Sequence, residues 1–370
     1  MSTLTESEAL HARVRAMIRA FEERERLPES FDAVAADLAR FQAAHVAGYR
    51  RLCAAHGVDP SAIQRAGQAP AVPTDAFRLA DVFAFDAVGA AATFRTSGTT
   101  LGLRGAHRMR DVRTYDAAAL AFGRAILLPD RAPPVAVIVV GPSPSEAPDS
   151  SLAHMCGLFA RALGLPQREE ATFFVRGGEL DIEGLRDRVR GLARSIPAIV
   201  LATSFALVHL SDAIGSEVLA LPPRSRVMQT GGFKGKSREV DRGELETVVA
   251  RAFGIDRRSI VGEYGMTELS SQFWEAAPES SGEPPVYLEP PWARVIPVDG
   301  RTLAPLADGE VGIARIEDLA NVDSAFAVVT QDRVRRRGGG FELLGRMPDA
   351  PPRGCSIALE EMLSAGPGGA

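Results

Sequence analysis

The chain has 370 residues and a net charge of −5, with 46% hydrophobic and 24% charged residues. This balance is typical of a globular protein, and the length allows two domains or one large domain with an appendage. The charge implies no basic surface and so argues against a nucleic-acid partner, while the clearest apolar run, Val135–Gly141, is far too short for a membrane span.

The N-terminal segment predicts two helices, over residues 6–26 and 31–56, separated at Pro28. It has neither the apolar core nor the cleavage site of a signal peptide. The three cysteines, Cys53, Cys156 and Cys355, are too few and too scattered for a disulfide framework or a zinc site. These observations together favour a cytoplasmic protein.

The middle of the chain alternates between predicted strands and helices. Strands are expected at 91–96, 134–140, 171–175, 198–202, 225–229 and 259–262, and helices at 111–127, 151–163, 181–195, 203–215 and 238–253. The run 134–140 is fully apolar and rich in β-branched residues, which is typical of a buried parallel strand. The alternation therefore predicts a doubly wound α/β sheet.

The pattern changes near residue 285 to short strands, at 292–298, 310–316 and 325–330, with little helix between them. The run Arg335–Gly340 indicates a hinge or an exposed turn. The resulting prediction has a helical region (1–60), an α/β nucleotide- and acyl-binding core (61–284), a β-rich subdomain (285–340), and a hinge with a short C-terminal segment (341–370).

The two lysines of the chain lie together in a glycine-rich stretch, whereas all its other basic residues are arginine. Lys234 and Lys236 belong to the sequence Thr230-Gly-Gly-Phe-Lys-Gly-Lys236. Lysine supplies a compact point charge on a flexible stem, and lysine beside glycine-rich backbone recurs in phosphate sites. We expect these ammonium groups to serve phosphate chemistry; the alternative is chance clustering on a solvated loop.

A second loop rich in hydroxyls and glycines follows the strand predicted at 91–96. It contains Thr96, Ser97, Gly98, Thr99 and Thr100. Glycine lets backbone N–H groups turn toward an anion, and the hydroxyls add further donors. The pattern is not the Walker A motif, which needs Gly-Lys-Ser/Thr at the start of a helix. This loop is a candidate for binding the phosphates of a nucleotide.

Thr96–Thr100 resembles the phosphate loop of the adenylate-forming superfamily, except that Leu101 stands where that family usually has glycine. Further segments resemble the family in its order: the pair Gly231-Gly232, the run Gly262–Glu268, the run Val329–Asp332, and Gly345-Arg346. The resemblance covers roughly residues 90–355. It implies an adenylate-forming-enzyme-like large domain, a doubly wound α/β region plus the β-rich subdomain.

The resemblance also implies site residues for ATP and Mg²⁺. Gly231 and Gly232 would line the adenine and acyl pocket, Tyr264 and Gly265 would lie near the adenine, and Asp332 would accept both ribose hydroxyls. Thr267 would contact the α-phosphate, Glu268 would bind Mg²⁺, and Arg346 would belong to the hinge. An aromatic face stacks on a base and a hard carboxylate suits Mg²⁺, so these residue types agree with the roles.

The chain resembles a shorter branch, the LuxE-type acyl-protein synthetases, with phenylacetate-CoA ligase as a more distant relative. Three segments carry this similarity: Val72–Phe77, Gly231–Lys236 and Gly345–Ser356. The usual C-terminal domain with its catalytic lysine is not found after Arg346, so the C-terminal segment is expected to be truncated. In that branch a C-terminal cysteine carries the acyl group, and Cys355 matches it by position.

We expect Cys355 to act as a thiolate, because Arg353 nearby would lower its pKa and Gly354 would leave its approach uncrowded. Cys53 and Cys156 are expected to be structural and buried in helices. His107, which closes the phosphate loop, could contact phosphate, and His154 could line the acyl pocket, although a lone histidine is more often structural.

The resulting prediction is an enzyme that activates a carboxylic acid, including fatty acids, as its acyl-adenylate and transfers it to Cys355 and then to an acceptor protein, such as a reductase or carrier protein. In one alternative, acyl groups pass directly to CoA, a carrier-protein thiol or an amine. In another, the chain is a non-catalytic nucleotide-binding module. The sequence leaves homo-oligomerisation open.

Overall fold

The computed structural model describes residues 2–96, 104–129, 135–231, 241–276, 284–347 and 352–363. Its helices are α1 (Thr3–Glu23), α2 (Phe31–His45), α3 (Ala47–Ala55), α4 (Ala76–Leu79), α5 (Arg113–Leu127), α6 (Ser151–Leu163), α7 (Ile182–Arg190), α8 (Ser204–Ile214), α9 (Arg242–Phe253) and α10 (Arg353–Leu363). Among the residues described, no helix is long and apolar enough to cross a membrane.

The strands follow the same chain order. They are β1 (Val72–Pro73), β2 (Ala92–Arg95), β3 (Ala106–Met109), β4 (Ala136–Val140), β5 (Val175–Arg176), β6 (Glu179–Leu180), β7 (Ala198–Thr203), β8 (Arg226–Thr230), β9 (Ile260–Tyr264), β10 (Phe273–Glu275), β11 (Tyr287–Leu288), β12 (Ala293–Val298), β13 (Val311–Asp318), β14 (Ala327–Arg337) and β15 (Gly340–Arg346).

The chain divides into two compact units, each built from separate segments. Unit 1 consists of Met1–Ala121, Met266–Ser271 and Pro284–Ala370. Unit 2 consists of Phe122–Gly265 and Gln272–Glu283. The motif predicted at Gly262–Glu268 is therefore divided between the two units, with Tyr264 and Gly265 in unit 2 and Thr267 and Glu268 in unit 1.

Unit 2 contains the parallel sheet that the alternating pattern predicts. Its strands run in the order β10-β9-β8-β7-β4, with β4, β7, β8 and β9 parallel and β10 antiparallel to β9. All five residues of β4 are buried. Ile138 and its alternate neighbours pack in one core with α7, α8 and α9, whereas Val137 lies against Gly164 at the end of α6. Helices thus cover both faces, which confirms the doubly wound prediction.

Unit 1 contains the β-rich part of the chain together with the N-terminal helices. Its larger sheet has the antiparallel order β12-β13-β14-β15-β11, and β1 joins it parallel to β14. A separate hairpin pairs β2 with β3. The C-terminal helix α10 packs against α3, β1 and α4. This arrangement brings the two ends of the described chain into one unit.

The single helix predicted over 31–56 is wrong, because α2 ends at His45 and α3 begins at Ala47. Val46 between them has extended backbone angles, φ −109° and ψ 103°. The Val46 N–H still donates to the Gln42 carbonyl at 2.7 Å, and the Arg50 N–H donates to the Val46 carbonyl at 3.0 Å. The hydrogen-bond pattern and the apolar spacing continue across the break, so periodicity does not reveal it.

The strand predicted at 171–175 is also mostly wrong. Residues Glu169–Ala171 form a 3₁₀ turn, and only Val175 of the predicted range begins a strand. That strand, β5, forms a two-residue hairpin with β6, and both connecting glycines, Gly177 and Gly178, have positive φ. Within the predicted range, Phe173 forms only an isolated parallel bridge with Val139 of β4, so the buried apolar run pairs at one point without becoming a strand, a distinction that a short apolar run cannot make.

Candidate functional site

In unit 1, a short irregular segment, Met266–Ser271, carries the predicted phosphate and metal residues. The Nδ1 of His107 lies 2.8 Å from the backbone oxygen of Thr267. Burial lowers the pKa of His107 to about 4, so the ring is neutral near pH 7. Because a carbonyl can only accept a hydrogen bond, the proton is on Nδ1. His107 thus fixes the backbone of Thr267. Its Nδ1 hydrogen bond goes to this backbone carbonyl.

Two buried polar residues, one at the end of β13 and one three residues beyond it, hold the rest of this segment. Asn321 donates from Nδ2 to the Glu268 backbone oxygen at 2.9 Å and accepts from the Ser270 hydroxyl at 2.6 Å. The Asp318 carboxylate accepts from the N–H groups of Ser270 and Ser271 at 2.9 and 2.8 Å. Sequence reasoning missed both anchors. The surrounding segment also contains Glu317 and Asp323, so no distinctive sequence signal marked these two residues.

The Glu268 side chain is half-buried, on a backbone that Asn321 and its neighbours hold. The described residues contain no cluster of three or more histidine, cysteine or acidic side chains able to bind a metal ion by themselves. Phosphate-handling enzymes commonly hold Mg²⁺ with only one or two carboxylates plus substrate phosphates and water. A single positioned carboxylate therefore fits Mg²⁺ that arrives with a nucleotide.

The predicted phosphate loop starts beside the same hairpin that carries His107. Thr96 pairs with Gly105, which donates its N–H to the Thr96 hydroxyl at 2.9 Å. Arg104 donates from Nε to the Thr96 backbone oxygen at 2.6 Å. His107 lies on β3, two residues after Gly105. Two residues of extended chain span about 7 Å. The remaining predicted loop residues, Ser97, Gly98, Thr99 and Thr100, lie outside the described residues.

The structure brings together Asp332 and Arg346, the predicted ribose acceptor and hinge residue. They are directly opposite each other on β14 and β15, and Arg346 Nε lies 3.5 Å from the Asp332 carboxylate. The Asp332 side chain is 15% exposed, whereas that of Arg346 is 64% exposed. Arg346 ends β15, and Gly345 before it has φ +80°, a conformation that favours glycine.

The expectation that Cys355 is an accessible thiolate is wrong. Cys355 lies in helix α10 and is only 5% exposed. Burial, together with the nearby carboxylate of Asp75, raises the pKa of its thiol to about 11. The neighbouring Gly354 is itself packed against Leu303, which a Cβ atom there would meet at 2.9 Å. In this conformation Cys355 is a protonated, covered thiol.

The surroundings of Cys355 nevertheless connect three segments that the sequence singled out. The contact with Asp75 joins the segment Val72–Phe77 to the C-terminal segment. Within Val72–Phe77, β1 pairs with β14 at Val72↔Val328, and Asp75 accepts from the Gln331 side chain at 3.4 Å. In unit 1, Asp75 therefore links the Cys355 thiol to β14, the strand that contains Asp332.

In unit 2, the candidate residues lie at the carboxyl ends of β8 and β9. Thr230 and Glu263 are register partners, and the Thr230 hydroxyl donates to the Glu263 carboxyl group. Burial raises the pKa of Glu263 to about 7, against the opposing effect of this hydrogen bond. Gly231 follows with φ +74°. Sequence reasoning missed Glu263, although an acid inside a fully buried strand was a visible signal.

Tyr264 and Gly265 continue from Glu263. Tyr264 is 8% exposed, and its ring centroid lies 6.0 Å from that of Phe273. A Cβ atom at Gly265 would come within 2.5 Å of a Glu263 carboxyl oxygen, so the position has no room for a side chain. The remaining predicted residues of this part, Gly232, Lys234 and Lys236, lie outside the described residues.

Unit 2 also contains a partly open apolar cavity of about 210 Å³. It lies at the carboxyl ends of β4 and β7, between α6, α8 and the β5–β6 hairpin, and Leu152, Cys156, Leu201 and Phe205 are among its lining residues. Cys156 is buried, as predicted, and so is Cys53 in α3. His154 does not line the cavity, whereas His209, which sequence reasoning passed over, does.

Comparison with known proteins identifies the family. The profile of the LuxE acyl-protein synthetase family matches residues 5–364. The chain belongs to this family. Two curated members resemble it over shorter segments: the long-chain-fatty-acid–luciferin-component ligases of Aliivibrio fischeri, 23% identical over 151 residues, and of Vibrio harveyi, 25% identical over 148 residues. The matched segments span 38% of this chain and 38% of each relative.

Among solved structures, 2-hydroxyisobutyryl-CoA ligase in complex with 2-HIB-AMP is similar, with a TM-score of 0.61 and 14% identity over 86% of this chain and 68% of that chain. This similarity confirms the predicted fold of the adenylate-forming ligases. The LuxE family assignment confirms the predicted family and its enzyme class. The site residues are not tested by these comparisons and remain predictions.

Proposed function

We propose that this protein activates a carboxylic acid as its acyl-adenylate, using ATP and Mg²⁺. Membership of the LuxE family over residues 5–364 is the observation that carries the proposal. The fold shared with a ligase solved with an acyl-AMP supports it. The names of the curated relatives suggest a fatty acid as the substrate class.

In unit 1, the anchored segment would contribute the electrostatics of the reaction. Glu268 would hold Mg²⁺, which neutralises phosphate charge when bound. Thr267 would donate its hydroxyl to the α-phosphate while His107 keeps its backbone in place. Preorganised donors of this kind stabilise developing charge without reorganising during the reaction. Thr96–Thr100 would bind the β- and γ-phosphates, and Asp332 the ribose hydroxyls.

In unit 2, Gly231, Gly232, Tyr264 and Gly265 would line the adenine and acyl pocket. The absence of a side chain at Gly265 leaves room for the Glu263 carboxyl group beside the backbone. Lys234 and Lys236 would supply positive charge to the phosphates. The carboxylate of the acid would attack the α-phosphorus, forming the acyl–phosphate bond as the bond to pyrophosphate breaks.

For the second half-reaction, we propose transfer of the acyl group to the Cys355 thiol, with AMP as the leaving group, and then to an acceptor protein. The thiol must first lose its proton and its cover, because burial and Asp75 raise its pKa. Helix α10 would have to shift to expose it. A lid-like movement of a short segment is a common way to complete a catalytic site.

A second candidate is direct transfer from the adenylate to CoA, a carrier-protein thiol or an amine. The burial of Cys355 and its raised pKa favour this candidate, since a covered, protonated thiol is a poor nucleophile. The two candidates share the first half-reaction and differ only in whether the protein itself is acylated.

Acid-dependent ATP–pyrophosphate exchange tests the first half-reaction. We expect the wild-type protein to catalyse exchange with at least one acid of a fatty, aromatic and amino-acid panel. Glu268→Gln should reduce the rate by about 10²-fold or more, the size of effect seen when one preorganised charge-stabilising group is removed. The matched control, Glu25→Gln at an exposed position, should retain the wild-type rate. Wild-type exchange in Glu268→Gln would contradict the metal assignment, and no exchange with any acid would favour a binding module.

Substitution of Cys355 separates the two candidates for the second half-reaction. Cys355→Ser should leave pyrophosphate exchange nearly intact, because adenylation does not use the thiol. It should abolish hydroxylamine-labile labelling of the protein by radiolabelled acid with ATP. The control is Cys53→Ser, which should retain labelling. If Cys355→Ser still delivered acyl groups to an acceptor at the wild-type rate, direct transfer would be the mechanism.

A further inference from the structure

The N-terminal helices of unit 1 have no role in the adenylation chemistry described above. One of them, α2, nevertheless carries a polar side chain, Gln42, that is only 1% exposed. A polar group buried in this way has lost its hydration and needs hydrogen-bond partners inside the protein. The hydrogen bonds of Gln42 go to residues 319–326, the connection between β13 and β14, here called the β13–β14 loop.

The β13–β14 loop is buried at every residue. Most connections run over the surface, because the backbone groups of a buried loop must find partners within the protein. Gln42 supplies such partners. Its Nε2 donates to the carbonyl oxygens of Asn321 and Val322 at 3.0 and 3.1 Å, and its Oε1 accepts from the Phe326 N–H at 3.1 Å. A reversed amide would face two carbonyl oxygens with its own oxygen, so these contacts fix its orientation.

Asn321 connects this loop to the backbone that carries Glu268. Its own carbonyl accepts from Gln42, whereas its side-chain Nδ2 donates to the Glu268 carbonyl at 2.9 Å. The same Nδ2 donates to the Ala325 carbonyl at 2.9 Å, which fixes the side chain relative to the loop. Asn321 is 1% exposed, as is Gln42. A shift of the loop would therefore be transmitted to Glu268 through buried hydrogen bonds.

A second buried contact ties the loop to the strand that bears His107. Asp323 of the loop accepts from Arg110 Nε at 3.1 Å, and Arg110 directly follows β3. The two side chains are 6% and 13% exposed. The β13–β14 loop thus joins both supports of Met266–Ser271, the Asn321 side chain and the His107 strand.

We propose that Gln42 is a positioning residue for Glu268. It holds the β13–β14 loop in the place from which Asn321 fixes the Glu268 backbone, and so sets where the Glu268 carboxylate meets Mg²⁺. The inference rests on the proposed function, from which it takes the role of Glu268. It gives helix α2 a part in the chemistry, two hydrogen-bonded steps from the metal ligand.

The first test measures the segment itself, without any chemistry. Gln42→Met keeps an unbranched side chain of similar size but removes the amide donors. In amide hydrogen exchange followed by mass spectrometry, the segment Met266–Ser271 should exchange at least about tenfold faster in this variant, the size expected when a hydrogen bond of typical strength is lost. Unchanged protection of the segment in folded Gln42→Met would overturn the inference.

The second test measures ATP binding by calorimetry with and without Mg²⁺. Wild-type protein should bind ATP more tightly when Mg²⁺ is present. Gln42→Met should reduce this Mg²⁺-dependent gain at least about threefold, less than the roughly 10–100-fold typical of a group that holds a metal ligand directly. Its affinity for ATP without Mg²⁺ should stay at the wild-type value. The Mg²⁺ concentration for half-maximal pyrophosphate exchange should rise by a similar factor, and high Mg²⁺ should restore the rate.

A double-mutant cycle shows whether Gln42 acts through Glu268. In a Glu268→Gln background, Gln42→Met should have no further effect on the Mg²⁺-dependent gain, because no carboxylate remains to be misplaced. Additive losses in the double variant would show that Gln42 acts elsewhere and would overturn the inference.

The matched control is Val34→Ala, a truncation in the same helix about 12 Å along its axis from Gln42. Val34 is fully buried, so the change lowers stability while leaving the Gln42 amide in place. It should alter neither the protection of Met266–Ser271 nor the Mg²⁺-dependent gain. Equal changes in Val34→Ala and Gln42→Met would mean general destabilisation and would contradict a positioning role.

If Gln42→Met does not fold, Gln42→Asn takes its place. This variant keeps an amide but shortens it by one methylene, and water can bridge the resulting gap to the loop. It should shift both measurements in the same direction, and no shift in either would refute the inference.

The measurements separate this inference from the proposed function. Faster hydrogen exchange of Met266–Ser271 and a reduced Mg²⁺-dependent gain in Gln42→Met, without pyrophosphate exchange for any acid, would support the positioning role and refute adenylation. Pyrophosphate exchange with an unchanged Mg²⁺ dependence in folded Gln42→Met would support adenylation and refute the positioning role.

Discussion

Two consecutive stretches of the chain, β9 (Ile260–Tyr264) and the segment Met266–Ser271, are held in place by different means. In β9 the backbone pairs with β8 on one side and β10 on the other. Met266–Ser271 has no strand partner and depends on the side chains of His107, Asn321 and Asp318. A position set by a backbone ladder tolerates side-chain changes, whereas one set by three side chains does not.

The comparison also extends to the buried ionisable groups of the two stretches. Glu263 belongs to β9, and His107 supports the segment Met266–Ser271. Burial disfavours the charged form of both groups, because it raises the pKa of the acid and lowers the pKa of the histidine. The two units should therefore respond to pH in opposite directions.

The largest expected effect is on the segment held by side chains. Asp318→Ala would leave the N–H groups of Ser270, Ser271 and Ala320 and the Ser271 hydroxyl without their acceptor. At about 1–3 kcal/mol for each buried unsatisfied donor, we expect a loss of at least about 4 kcal/mol in the free energy of unfolding, measured by urea denaturation. The control, Asp308→Ala on an exposed turn, should change it by less than about 0.5 kcal/mol. If Asp318→Ala also lowered the free energy of unfolding by less than about 0.5 kcal/mol, the segment Met266–Ser271 would not depend on its side-chain anchors more than β9 does.

The next effect is the pH dependence contributed by His107. Its pKa is about 4 when folded and about 6.5 when unfolded, so between these values the unfolded chain binds a proton that the folded protein does not. This group therefore contributes stability above pH 6.5 that is lost as the pH falls toward 4, by about 3 kcal/mol in total. In His107→Phe this acid-side loss should be absent. Equal slopes of unfolding free energy against pH in both proteins would show that His107 is not held neutral.

Glu263 should give an effect of similar size and opposite sign. Its pKa is raised from 4.5 to about 7 on folding, so its contribution is fully present below pH 4.5 and is lost as the pH rises through 7. Glu263→Gln keeps an acceptor for the Thr230 hydroxyl but cannot ionise. Relative to wild type, the variant should gain up to about 3 kcal/mol between pH 4.5 and pH 8, as measured by urea denaturation. A variant that is uniformly less stable over this range would show that Glu263 is ionised in the folded protein.

Much of the fold could be predicted because the elements of unit 2 have strong local signals. The fully apolar run around β4 and the repeated strand–helix alternation gave the parallel sheet, and Ser151–Leu163 matches its predicted helix at both ends. Errors arose where local pattern and tertiary environment disagree. The break at Val46 leaves the helical spacing intact, and the buried run before β5 is apolar without being a strand.

The candidate site divides in the same way. The motifs themselves were visible, because glycines, hydroxyls and acids in a fixed order are a property of the sequence. The supports were not: Asn321 and Asp318 were missed, and His107 was considered for phosphate contact and not for holding Thr267, because the residues they hold are far away along the chain. Cys355 shows the same limit: its neighbours in sequence suggested an exposed thiolate, yet helix packing and Asp75 make it a covered thiol.

The sequence by itself determined the α/β class, the order of the nucleotide motifs and the resemblance to the acyl-protein synthetases, since these depend on residue type and local spacing. Only the tertiary structure decided which groups are buried, and therefore the ionisation of His107, Glu263 and Cys355 and the size of the apolar cavity. Burial depends on packing between segments distant along the chain, and desolvation, more than neighbouring residues in the sequence, sets these pKa values.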